Sequence, residues 1–295
     1  CTVKRMVFFL FLMCSVLIQA QMLDNREGLA FTDKPFFNCE FIRINKIHTL
    51  NGKFTYKKPG DVLRATEYMY VYNFDELGRI IESFETRKDD GTADTTWNRY
   101  EYDHQNRLIV HKKGDPRGLN VNTFMYDAEG RVIEELNARE FKDSLGEIRL
   151  TVLNRETMRY EKYDRQEKKT WYNSYDLPYK QEFSYFDENG YLTERVERLM
   201  MTSVTTTHRY EYNEKGLVSA IRSYKGNSDV ASEEFLYLYD ANGNIEEKQH
   251  YRNGQYITEI EILYNERSHL LTYVITRDVA TNFIMILGFK EYAYF

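Results

Sequence analysis

Apolar and polar residues alternate one by one along most of the chain, the period of a strand with one buried face. A recurring string punctuates the alternation: aromatic, any residue, aromatic, Asp or Asn, two residues, Gly, one residue, aliphatic. Tyr100-Glu101-Tyr102-Asp103 leads to Asn106 and Leu108, and Phe124-Met125-Tyr126-Asp127 leads to Gly130 and Val132. Tyr210-Glu211-Tyr212-Asn213 leads to Gly216 and Val218, and Tyr237-Leu238-Tyr239-Asp240 to Gly243 and Ile245. Looser copies surround Asp75, Asp187 and Asn265, and Tyr163-Asp164 keeps only the aromatic–Asp core. All eight anchors (75, 103, 127, 164, 187, 213, 240 and 265) follow a Phe or Tyr. Seven of the eight have an aliphatic residue five positions on, Lys169 being the exception, so the chain is an internal repeat.

Each repeat position has a physical reason. Aromatics two apart share one face of a strand. Asp or Asn opens a turn by hydrogen bonding its own backbone two residues on. Gly three later takes positive φ at little steric cost, and the aliphatic residue starts the return strand. Turn chemistry also lies between anchors, at Asp89-Asp90-Gly91, Gly114 to Gly118, Asp143 to Gly146, Gly226-Asn227-Ser228 and Asn253-Gly254. Two turns per unit predict two strands per unit, about sixteen in all. Before the repeats, Phe41 to Leu50, Asn51-Gly52 and Lys53 to Lys57 read as a hairpin capping the first sheet edge. Phe283 to Leu287 reads as a further strand.

The Tyr-x-Tyr-Asp-x-x-Gly-x-Leu unit resembles the YD repeat of the RHS family over roughly residues 68 to 272. The signal-peptide-like start and short array look like small exported proteins of Bacteroidetes-type bacteria. In that family long arrays coil a sheet into a hollow shell around a toxin domain. Eight units are too few to enclose one, and no toxin-like domain follows Leu270. The expected fold is all-β: an elongated, coiled antiparallel β-meander sheet built from tandem YD-repeat hairpins. The expected organisation is a signal peptide over 1–20, an N-terminal segment with a capping hairpin over 21–66, and the repeat array with C-terminal strands over 67–295.

The signal-peptide reading rests on Lys4 and Arg5, the apolar run from Met6 to Ile18 and the small-residue site ending at Ala20. It places the protein in the periplasm, at the cell surface or outside the cell. Cleavage there would remove two cations and take the net charge from −6 to −8. It would also leave Cys39 alone, without an internal disulfide and best read as a small buried hydrophobe. No segment after the leader is long and apolar enough to form a transmembrane helix. The acidic balance excludes a basic stripe for nucleic acid.

Candidate chemistry is sparse. The six histidines fall at no metal-ligand spacing, and no nucleophile elbow, phosphate loop or Cys-x-x-Cys pair occurs. No catalytic, metal or cofactor residue is therefore expected. Adjacent acidic pairs such as Glu134-Glu135 and Glu233-Glu234 point to opposite faces of a strand and do not converge. The chain holds 25 Tyr, 18 Phe and 2 Trp. Thirteen of these aromatics occupy the two fixed repeat positions and are scaffold by default. Trp97 and Trp171 lie outside those positions and are the candidate binding residues, as platforms for sugar rings. The resulting expectation is a non-catalytic binding or structural module at the cell envelope, whose partner is an envelope glycan or another envelope protein. The runner-up is a shell fragment of an RHS-like toxin or adhesin, and the third reading a polysaccharide-acting enzyme.

Overall fold

The structure, a computed structural model, describes residues 21–89, 92–115 and 118–295. The expected signal peptide, residues 1–20, lies outside the described residues. Among the described residues a short helix, α1 (Cys39–Ile44), precedes eighteen strands, from β1 (Ile47–Lys57) and β2 (Arg64–Phe74) to β18 (Phe283–Tyr294). Every strand pairs antiparallel with the next in sequence. β18 then pairs back with β1, from Ile47 opposite Tyr294 to Lys57 opposite Ile284. The sheet is therefore a closed up-and-down barrel.

Closure corrects the expected open, elongated meander. Each residue pattern is that of a meander, but an open sheet of this size would leave two long edges with unpaired backbone groups. Joining β1 to β18 satisfies both. It also gives the aromatic rows an interior to fill.

The repeat turns share one construction. At Asp75 the backbone N–H donates to the Arg79 carbonyl (3.0 Å) and the Asp75 carbonyl accepts from Gly78 (2.9 Å). One carboxylate oxygen accepts from the N–H groups of Leu77 (3.1 Å) and Arg79 (2.9 Å). The same pattern recurs at Asp103, Asp127, Asp187, Asn213 and Asp240. All eight anchors lie at one end of the barrel, here the anchor end, and the other connections lie at the opposite, open end.

The tyrosine before the anchor has a second task besides packing. Its hydroxyl donates to the carbonyl of the aliphatic residue that opens the return strand of the preceding unit. Tyr102 bonds Ile80 (2.8 Å), Tyr126 bonds Leu108 (2.6 Å), Tyr212 bonds Leu192 (2.9 Å), Tyr239 bonds Val218 (2.7 Å) and Tyr264 bonds Ile245 (3.1 Å). Tyr292 continues the row after the last anchor, on Leu271. In the ragged unit Tyr160, not Tyr163, takes this place, on Val132 (2.8 Å). In the first units an Arg four after the anchor adds a clamp. Arg79, Arg107 and Arg131 each pair with their own Asp at 2.6–2.7 Å. Each also lies over the next unit's tyrosine ring, at 4.9 Å (Tyr102), 4.8 Å (Tyr126) and 4.6 Å (Tyr160).

Two other readings of the sequence are corrected. The expected capping hairpin is instead α1 followed by one continuous strand, and Asn51-Gly52 lies inside β1 rather than in a turn. Gly52 is there for space: a Cβ would stand 2.5 Å from Leu287 and 2.7 Å from Phe289. Cys39, expected to be buried, is exposed at the start of α1.

The segment before α1 fills the anchor end of the barrel. It folds back on itself, with Asp24 N–H donating to the Phe36 carbonyl (2.7 Å) and Asn38 N–H to that of Met22 (3.0 Å). Met22, Leu23, Phe36, Phe37 and Ile42 are buried against Tyr72, Phe74, Ile245 and Leu271 from the wall. Asn38 caps α1 by accepting from the N–H groups of Glu40 and Phe41. The helix sits on the first repeat turn, where a Cβ on Gly78 would meet the Cys39 carbonyl oxygen at 2.0 Å. Gly130 has nearly the same φ (+81° against +79°) but open space around it. Gly78→Ala should therefore lower the thermal midpoint clearly more than Gly130→Ala. The backbone strain is common to both, so the difference reads the helix seat, and equal losses would refute it.

Candidate functional site

Residues 21–38 form a plug, and beside it the lumen holds a cavity of about 770 Å³, which runs from Leu108, Tyr126 and Val132 near the anchor turns to Lys113 and Asn120. One side is the plug, through Glu27, Leu29 and Asp33 to Pro35. Its wall is five consecutive strands, β5 (Leu108–Asp115) to β9 (Gln166–Tyr172). Strand alternation decides which side chains enter. In β6 (Gly118–Tyr126) the repeat aromatics Phe124 and Tyr126 point inward, so Asn122 and Asn120 do too. Register then sets Asn122 opposite His111 and Asn137, and Phe124 opposite Glu135. Met158 and Trp171 face each other across β8 (Ile148–Lys162) and β9.

Charge inside the cavity is partly paired. Lys113 from the wall is bonded to Asp33 of the plug, and the Asp33 carbonyl accepts from the Tyr100 hydroxyl at 3.0 Å. The Lys169 ammonium lies 4.3 Å from the Trp171 ring centre, and that of Lys180 lies 3.9 Å from it. Burial pushes Lys169 down from its ordinary value, against the pull of Glu182. Burial, reinforced by Glu156, pushes the Glu135 carboxyl up. Burial likewise lowers His111, whose ring is stacked on Tyr100 at 4.8 Å. The Asn137 side-chain amide donates to Asn122. The arrangement offers amide donors and acceptors, ammonium groups and a carboxyl within an aromatic enclosure. Among the described residues no group of His, Cys, Asp and Glu could hold a metal ion.

Further round the lumen, Lys248 holds the plug by donating to the Ala30 carbonyl (3.1 Å). Burial pushes its amine down to about 8. Tyr237 donates to the Gly28 carbonyl (3.3 Å), and Asn25 of the plug donates to the Tyr239 hydroxyl (2.9 Å).

The two tryptophans are not brought together. Trp171 is buried in the cavity wall with lysines against its ring. Trp97 is on the outside of the barrel, in a shallow groove of about 350 Å³ with Leu119 and Phe141, and the Arg99 guanidinium stands 5.5 Å from its ring centre. Asn120, Asn122, Asn137, Glu135 and Lys169 were not singled out from the sequence as binding residues. A signal for the first two was present: the repeat aromatics Phe124 and Tyr126 fix the inward parity, and counting back by twos reaches both asparagines. The plug left no such signal, because it has no periodicity.

No protein-family model matches the chain, and no curated protein matches it in sequence. Solved structures do show likeness. A porin-like protein from Bacteroides uniformis aligns over 83% of this chain and 98% of its own, at 9% identity and a TM-score of 0.37. A porin-like protein from Bacteroides vulgatus aligns over 81% and 96%, at 15% identity and a TM-score of 0.31. The TcdB2-TccC3 structure aligns over 73% of this chain and 14% of its own, at 14% identity and a TM-score of 0.23.

Proposed function

We propose that this chain is an exported, non-catalytic YD-repeat barrel of the cell envelope that binds a small polyhydroxylated ligand, a mono- or oligosaccharide, in its plugged lumen. The observation that carries the reading is the cavity of about 770 Å³, bounded by the plug and walled by Asn120, Asn122, Asn137, Glu135, Lys169 and Trp171. Its size is that of small-molecule sites. Amides that donate and accept, set among aromatic and apolar surface, suit hydroxyl-rich ligands. Export rests on the leader-like first twenty residues.

The outer face supports a barrel surrounded by water. Outward positions carry cross-strand ion pairs: Arg99 with Glu82 (2.8 Å), Arg209 with Glu194 (3.2 Å), and Arg222 with Glu234 (2.5 Å). A charge facing mid-bilayer lipid costs about 2–4 kcal/mol, so such a belt does not suit a lipid-facing wall. Closure also favours a self-contained module over a shell fragment, because β1 and β18 pair with each other and neither end of the array is left for another repeat unit to extend.

The test is a titration of neutral and acidic mono- and disaccharides followed by protein-detected NMR or tryptophan fluorescence. We expect saturable binding in the wild type and at least tenfold weaker binding in Asn122→Leu and Glu135→Gln, with folding unchanged. Trp97→Ala should bind as the wild type does. No saccharide binding at millimolar concentration, or binding lost in Trp97→Ala alone, would defeat the proposal.

A further inference from the structure

One strand is longer than the barrel needs. β8 begins at Ile148, but its pairing with β9 begins only at Thr157, opposite Tyr172. Over residues 148–156 it is paired on one side alone, with β7 (Val132–Lys142), from Lys142 opposite Ile148 to Glu135 opposite Glu156. Among the described residues no strand pairs with its other edge. The two strands form an arm at the open end of the barrel.

The sequence of that edge is unusual for one facing water. Ile148, Leu150 and Val152 point to one face of β8 and are 67%, 58% and 56% exposed. Their backbone groups face the open side as well. The Glu147 carbonyl accepts from Asp143 across the hairpin (2.9 Å), so alternation turns the N–H and C=O of residues 148, 150 and 152 away from β7. A two-stranded ribbon is marginal in water, and an outer strand that carries an apolar row along an unpaired edge is a template for another strand.

We propose that this edge pairs antiparallel with the same edge of a second copy of the chain, giving a two-fold dimer joined by a four-stranded sheet. The edge is complementary to itself. With Leu150 on the two-fold axis, Ile148 faces Val152, Arg149 faces Thr151, and no like charges oppose one another. The three outward-facing backbone positions then bond to one another, 148 to 152, 150 to 150 and 152 to 148. The tip of each arm, with Leu145 at 82% exposure, reaches the base of the other arm. There the loop holding Tyr175 (84% exposed) lies against β8, its Ser174 hydroxyl accepting from Arg155 N–H (3.2 Å). The paired strands form an isologous interface that closes on itself.

The test is sedimentation of the purified protein across the micromolar range, together with cross-linking of a Cys39→Ser/Leu150→Cys variant by a short bis-maleimide. The expected results are a concentration-dependent dimer and a cross-linked product of twice the chain mass. The same treatment of Cys39→Ser/Leu238→Cys, exposed elsewhere on the barrel, should give none. Leu150→Lys would place two ammonium groups face to face and should weaken dimerisation at least tenfold with an unchanged thermal midpoint. A monomer at every concentration, a dimer indifferent to Leu150→Lys, or no cross-link through residue 150 would overturn the proposal.

Discussion

Tyr239→Ala should destabilise the barrel by about 3 kcal/mol, the lower end of the range for removing a large ring because this one is partly buried, seen as a lower urea midpoint. The ring packs, partly buried, against the core around the plug. Its hydroxyl donates to the Val218 carbonyl of the preceding unit (2.7 Å) and accepts from the plug's Asn25 (2.9 Å). Tyr239→Phe keeps the ring and strands both partners, which should cost about 1–3 kcal/mol. The exposed Glu101→Ala serves as the control. Tyr163→Ala is the informative contrast, because Tyr163 keeps the repeat motif in sequence while Tyr160 makes the inter-unit bond. It should fall near the control. A Tyr239→Ala midpoint equal to that of Glu101→Ala would refute the bridging role of the tyrosine row.

Alkali should unfold this protein steeply above about pH 10, where tyrosine ordinarily ionises. Burial pushes Tyr160 and Tyr239 up to about 12 and raises Tyr72 and Tyr264 well above the usual value. Below pH 10 these phenols are protonated in both states, and the full stability is present. Above it the unfolded chain ionises first, so each shielded tyrosine withdraws up to about 1.4 kcal/mol per pH unit until its folded value is reached. Lys248 acts in the opposite sense. Its folded value of about 8 lies below the ordinary 10.5, so between those limits the unfolded state holds more protons and stability rises with pH. The two windows barely overlap, and the tyrosines win by number. Urea midpoints should therefore rise modestly from pH 8 to pH 10 and collapse beyond it. Lys248→Met should reduce the rise and leave the collapse unchanged, the remainder of the rise coming from Lys169. A midpoint that stays level past pH 11 would contradict the shielding of the tyrosines.

The strands and turns were legible because each repeat is a local instruction: Asp75, Asp103 or Asp240 closes its turn with its own carboxylate, whatever surrounds it. Departures came where distant groups decide. Asn51-Gly52 is a turn signal by propensity, yet Leu287 and Phe289, more than two hundred residues away, recruit its glycine as packing space. Asn173 carries a turn of the same construction at the open end (Asn173 N–H to Leu177 carbonyl, 3.0 Å), unread because Asp176 stands in place of Gly. Closure was not legible, since a coiled open sheet and a barrel share one alternation. Of the cavity, Trp171 was legible from the sequence, but the place where the plug lies against the wall decides what else lines it.

The seam between β1 and β18 joins residues such as Asn51 and Glu291, 240 positions apart. Each hairpin can form within its own span, whereas the seam must await the last strand and carries the largest loop-closure entropy. The plug shares that delay, because it rests on Tyr72 from the first repeat and on Tyr239 and Lys248 from late ones. The plug is thus made before the repeats it rests on and is among the last of the described elements to find its place. Until the final strand arrives, the aromatic rows stand uncovered. The interval between synthesis of the first and last strands is where this protein is most exposed to proteases and to pairing with the wrong chain.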